Sequence, residues 1–175
     1  MTCTQLQTHL PLAAQGYKCQ QDDLYRVLVG LAARRSTLEQ VCADLPGAPC
    51  AETVRRYLHQ QLPPAELAPV EAQLNAALVA RLPRRLLKQA QEVAIDFHDE
   101  PYYGKQSHAS AGWVRGRRRT GTTRFSRMAT AYVIHRQLRS TRAVRFVRPD
   151  DKILMVHKAL LRQVRAAQVA LATLY

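Results

Sequence analysis

A chain of 175 residues with 47% hydrophobic side chains has room for one ordinary domain, or for a small module beside part of a larger one, with a genuine apolar core. Twenty-six Lys and Arg against 13 Asp and Glu leave a formal charge of +13, which favours a polyanionic partner, nucleic acid being the commonest; basic ribosomal and membrane-surface proteins share such a charge. No apolar run approaches the roughly 20 residues of a membrane span, and residues 1–19 lack the basic-then-apolar order of a signal peptide, so a soluble, cytoplasmic protein with reduced thiols is expected.

Residues 22–35, "DDLYRVLVGLAARR", place Leu24, Val27, Leu28 and Leu31 at helical spacing. Ser36 with Glu39 then matches a capping box, which predicts a short helix through Val41 and Cys42 that stops near "DLPGAP". After this turn "CAETVRRYLHQQL" predicts a third helix with Val54, Tyr57, Leu58 and Leu62 inward and Thr53, Arg55, Arg56 and His59 outward. Residues 1–62 thus have the outline of a helix-turn-helix module whose last helix enters a major groove, with Thr53, Arg55 and Arg56 as candidate DNA contacts. A plain three-helix bundle with a solvated basic face has the same pattern. Cys42, Cys50 and His59 lack zinc-ligand spacing, and helix packing explains these cysteines better.

The proline-rich "LPPAELAP" opens a linker and connecting helix over 63–90, with the helix at about 66–82. From Glu92 the pattern changes to strands: 92–98, then a basic Gly-containing stretch, then "FSRMATAYVIHR" and "RAVRFVR", the last two joined by a hairpin loop at "QLRST". A helix from Asp151 to about Ala167, capped by Asp150, buries Ile153, Val156, Leu160 and Val164, and "VALATLY" begins a fourth strand. The fold class is α+β or α/β. Three antiparallel strands, a right-handed helical crossover and a fourth strand parallel to the first make up the first half of an RNase H-like fold over 91–175.

Asp96 lies among Val93, Ala94, Ile95 and Phe97, in a run that reads as a buried strand. An unpaired buried carboxylate is costly, so partnering, protonation or a metal is expected there. "AIDFHDEPYYGK", followed by a basic segment and "GTTRFSRMATAYVI", resembles the catalytic domain of DDE transposases from bacterial and archaeal insertion sequences. The resemblance covers about residues 90–175, and the helix-turn-helix ahead of it suits the same layout.

The resemblance implies DNA transposition: binding of double-stranded transposon-end and target DNA, and strand cleavage and transfer with two Mg²⁺ or Mn²⁺ ions held by three acids. Asp96 is then the first acid and metal ligand, and Asp99 the lesser candidate, read as a turn aspartate. Tyr102 and Tyr103 are expected to pack under the loop, with stacking on DNA as the lesser alternative. Arg115, Arg117, Arg118 and Arg119, with Arg124, become phosphate contacts, or else a solvated loop. Trp113 covers the base of that loop or stacks on a nucleobase.

The family's second acid is expected a few residues beyond Tyr175 and its Glu on a later helix. The chain is therefore expected to be a fragment: DNA-binding, nucleoid-associated, and inactive alone. The alternative is a non-catalytic DNA-binding regulator or transposition inhibitor using the helix-turn-helix. Self-association is left open.

Overall fold

The computed structural model describes residues 2–63, 67–80, 90–103, 112–119, 121–135, 138–167 and 169–175. They form two compact units, Met1–Glu66 and Leu67–Tyr175, which divide at the proline-rich break.

In the first unit α1 (Thr2–His9) is followed by two-residue strands β1 (Gln15–Gly16) and β2 (Cys19–Gln20), paired antiparallel. Then come α2 (Gln21–Arg34), α3 (Leu38–Asp44) and α4 (Ala51–Gln61). The sequence pattern foretells the last three but neither α1 nor the hairpin. Leu24, Tyr25, Val27, Val41 and Val54 are buried in this unit. Tyr25 does more than fill space, because its hydroxyl donates to the Leu10 carbonyl at 2.9 Å and accepts from the Leu12 amide at 2.8 Å. That pair of bonds holds the segment after α1 against α2. At the start of α3 the cap is Thr37 and not Ser36: the Gln40 amide donates to Thr37 Oγ1 at 3.3 Å.

The second unit starts with α5 (Leu67–Val79) and continues as β3 (Gln91–Pro101), β4 (Val114–Arg119), β5 (Thr122–His135), β6 (Leu138–Val147), α6 (Ile153–Ala166) and β7 (Leu171–Leu174). This is a mixed α+β arrangement with a five-stranded mixed sheet. β5 is the long central strand. It pairs antiparallel with β3 on one side, and with β6 and then β4, end to end, on the other. β7 returns from α6 to lie parallel beside β3. The sheet buries Val93, Ala129, Ala131, Val133, Ala143 and Val147 against Val156, Leu160 and Val164 of α6.

Several boundaries differ from expectation. The first strand extends to Pro101. "QLRST" is largely strand, since β6 begins at Leu138; residues 136 and 137 lie outside the described ones. The N-cap of α6 is Lys152 and not Asp150, while Asp151 accepts from the Arg148 amide at 3.0 Å in the turn before the helix. Ile153, expected inside, is 60% exposed because it stands on the first turn, ahead of the buried stripe. No helix among the described residues is long and apolar enough to cross a membrane.

The helix expected as a connector belongs with the sheet. Asn75 of α5 donates to the Val144 carbonyl at 2.9 Å and accepts from the Val144 amide at 2.8 Å, and Glu71 accepts from the Phe146 amide at 2.9 Å. These are the groups an edge strand leaves unpaired, so α5 closes the edge of β6 that would otherwise template pairing with another chain. Burial holds the Glu71 carboxyl above its ordinary range, with the Phe146 amide opposing that shift. Arg142 of β6, buried, donates to the Leu78 carbonyl at 3.4 Å near the end of α5.

Asn75→Ala removes both bonds to Val144 and should cost about 1–3 kcal/mol, the range for leaving buried polar groups unsatisfied. Chemical denaturation measures this; a loss under about 0.5 kcal/mol, the level of an ordinary surface change, would show that α5 does not secure the edge.

Candidate functional site

Strand alternation sorts the acids of β3. Val93, Ile95, Phe97 and Asp99 point to the α6 side, where Phe97 meets the His157 ring with centroids 5.5 Å apart. Glu92, Asp96, His98 and Glu100 point to the opposite, exposed side. Asp96 is therefore not a core carboxylate: its side chain is 54% exposed. The apolar neighbours that make the stretch read as buried lie mostly on the other face. Asp96 Oδ2 is 3.5 Å from His98 Nε2. Thr130, directly across the ladder from Asp96, brings its hydroxyl to the same His98 nitrogen at 3.5 Å. The sequence pattern alone already places Asp96 and His98 on one face, whereas Thr130 requires the register.

Asp99 is not a turn residue. It sits within β3 opposite Arg127 of β5, whose Nε and Nη2 donate to its two carboxylate oxygens at 2.6 and 2.9 Å. The two-pronged pair is mostly shielded and holds the Asp99 carboxyl below the usual aspartate value of 3.8, the Arg127 bonds outweighing the cost of burial. Between the two candidates, Asp96 is the one whose oxygens face outward without an arginine.

A pair of Mg²⁺ or Mn²⁺ ions needs several oxygen ligands arranged around both. Among the described residues no group of three His, Cys, Asp or Glu side chains could hold a metal. Asp96 with His98 supplies one carboxylate and one imidazole, so this donor set does not fit a two-ion centre. Cys42, Cys50 and His59 form no such group either. The thiols differ in environment: burial raises Cys42, while hydrogen bonding from Thr53 lowers the exposed Cys50. At the end of β7, Tyr175 donates its amide to the Val93 carbonyl at 2.9 Å and accepts from the Ile95 amide at 3.1 Å, which brings that strand alongside the residue next to Asp96.

On α4 the predicted outward residues are unequal. Arg55 is held by Glu52 at 2.6 Å and by Glu39 of α3, so it clasps the two helices together. Both carboxylates compete with any phosphate for that guanidinium. Thr53 is 3.1 Å from Cys50 Sγ within the first turn. Arg56 is exposed, lying over the Tyr57 ring at 5.7 Å, and is the more available cation.

The second basic cluster is strand and not loop. Arg115, Arg117, Arg118 and Arg119 are exposed on β4, which turns through Gly121 (φ 90°) into β5 and its Arg124. Tyr102 stacks on Trp113 with centroids 3.8 Å apart and planes at 14°, so Trp113 covers the base of this hairpin. Tyr103 is 66% exposed. Compared with protein-family models, with curated proteins and with solved structures, the chain matches none.

Stabilisation from the Asp99–Arg127 pair is fully present above the unfolded aspartate pKa and is lost as pH falls through the lower folded value, so its window lies below pH 3.8. Asp99→Asn should cost about 1–3 kcal/mol at neutral pH, the range for a charge-assisted hydrogen bond. The variant should also show a shallower loss of stability below pH 3.8 than the parent. Parallel acid limbs in denaturation profiles of the two proteins would contradict the assignment.

Proposed function

We propose that this chain is a duplex-DNA-binding protein of the DDE transposase type, with a helix-turn-helix module ahead of an RNase H-like sheet, acting in DNA transposition. The observation that carries the reading is the order β6–β5–β3–β7, in which an antiparallel meander is followed by a helix and a strand parallel to the first, with Asp96 on the exposed face of that first strand. Apart from the additional strand β4, this is the order that the resemblance of "AIDFHDEPYYGK" implies, with the carboxylate on the strand where the family keeps its first acid. The charge of +13 and the exposed arginines on α4 and β4 suit a polyphosphate partner in the nucleoid.

A second reading, DNA binding without catalysis, is favoured by one specific observation: Asp96 and His98 do not make a two-ion donor set among the described residues. Mg²⁺ or Mn²⁺ chemistry belongs to a site with further acids, and the resemblance expects the next of them on the strand that β7 begins. The activity proposed for these residues is therefore DNA binding, in transposition or in its regulation.

Arg56→Ala should lower the slope of log affinity against log salt by about one, the share of a single phosphate contact. Arg55→Ala should lower it less, because Glu39 and Glu52 already hold that side chain. Fluorescence anisotropy with a labelled duplex reads both; an unchanged slope for Arg56→Ala would remove α4 from the interface.

Asp96→Asn should leave duplex affinity within about twofold, since this carboxylate faces solvent and, among the described residues, pairs with no arginine. Neither the parent nor this variant should nick supercoiled DNA in Mg²⁺ or Mn²⁺. Nicking by the parent that disappears in Asp96→Asn would overturn the non-catalytic half of the proposal.

A further inference from the structure

We infer that the β4–β5 hairpin is a ribbon that lies in the major groove of duplex DNA; the inference rests on the DNA-binding reading above and adds a mode of contact to it. β5 begins at Thr122, but β3 pairs with it only as far as Phe125, opposite Pro101. Beyond that point β5 continues with β4 as its ladder partner, Arg115 opposite Arg124 and Arg119 opposite Thr122. Arg115–Arg119 and Thr122–Arg124 are thus the two arms of a ribbon at the end of the sheet, with Tyr102 beside its base. The sequence 115–124 includes five arginines and no acid.

The ribbon is anchored as an element with a fixed direction. The Tyr102 amide donates to the Arg124 carbonyl at 3.0 Å, and the Thr122 hydroxyl donates to the Tyr102 carbonyl at 2.9 Å. The Tyr102–Trp113 stack closes its base. Gly116 lets β4 approach the Phe125 ring, since a Cβ there would stand 3.1 Å from the ring edge. The phenylalanine itself is buried.

Among the described residues no carboxylate is within ion-pair distance of Arg115, Arg117, Arg118 or Arg119, and Arg119 acts on Asp99 only at a distance. Arg115 and Arg124 stand directly opposite each other, so two positive residues share one rung of the ladder. The ladder slips between Arg115 and Arg119, so β4 carries extra residues there. Such a bulge twists the strand and re-aims its side chains, here spreading guanidinium groups around the ribbon.

Dimensions choose the groove. The three residues of the β5 arm, Thr122–Arg124, reach about 10 Å, and the arms stand about 5 Å apart. A two-stranded ribbon with side chains fits the major groove, about 12 Å wide and about 8.5 Å deep, and is too broad for the minor groove at about 6 Å. Guanidinium groups on the outer faces then reach the phosphates of both walls, and those facing the floor reach the paired acceptors of guanine.

The test uses the full chain carrying Arg56→Ala, so that the contribution of α4 is reduced, and a mixed-sequence duplex loaded with methyl green in the major groove or distamycin in the minor groove. The protein should displace methyl green and leave distamycin bound. The quartet R115A/R117A/R118A/R119A should lose that displacement, bind at least about tenfold more weakly at physiological salt and show a salt slope lower by about 3 to 4. Replacing the same four by Lys should restore the slope, which separates lost charge from lost folding; a Lys quartet that stays as defective as the Ala quartet would overturn the proposal. So would an Ala quartet that keeps its slope and its displacement of methyl green, and so would displacement of distamycin that depends on these arginines. Failure of the unsubstituted chain to bind any duplex would instead remove the DNA-binding reading, and the ribbon proposal with it.

Discussion

The antiparallel register between β3 and β5 is the constraint on which the sheet unit depends. It runs unbroken from Glu92 opposite Ile134 to Pro101 opposite Phe125. Because side chains alternate with period two, a slip of one residue would carry Asp99 to the solvent face and Asp96 into the α6 core. Two features oppose such a slip. Val93, Ala129, Ala131 and Val133 all reach the same core only in this register. Arg127 also meets Asp99 squarely across the ladder, so the bidentate ion pair acts as a pin near the end of β3. The identity of the outward acid thus follows from hydrophobic patterning and one charge pair. Asp96 is displayed because Asp99 is used.

The rest of the unit manages the consequences of that sheet. β6 presents its outer edge, and α5 covers it through side-chain mimics of strand pairing from Asn75 and Glu71. The core beneath α6 is made largely of valines and alanines, with Leu160 inside it and Phe97 packed against it. The charge of +13 is likewise divided. Arg55, Arg127 and Arg145 are taken up by carboxylates inside the fold, whereas the arginines of β4 are presented outward on a hairpin anchored by Phe125, Tyr102 and Trp113. Structural and surface arginines look alike in composition. Only the pairing separates them.

What could be read from the chain alone follows the range of each signal. The helices α2, α3 and α4, the strands β3, β5 and β6, and the crossover through α6 all announce themselves by local periodicity and punctuation. Asp96 reads as buried from its apolar neighbours but is outward, because those neighbours lie mostly on the other face of β3. β4 was not legible, because "VRGRRR" has neither alternation nor β-branched content after its first residue. It becomes a strand only by pairing with β5 and by the fit of Gly116 to Phe125. The partner of Asp99, 28 residues away, and the role of Asn75, 69 residues from Val144, are long-range facts with no local trace. Arg55 looked like a surface cation because its partner Glu39 lies on another helix.

The most direct test of this account is nuclear Overhauser contact mapping across β3 and β5 in the isotope-labelled chain. The account predicts cross-strand contacts pairing Asp96 with Thr130 and Asp99 with Arg127. Contacts that pair Asp96 with Ala129 or Ala131 instead would reverse the faces of both acids and contradict the assignment of Asp96 to the exposed face.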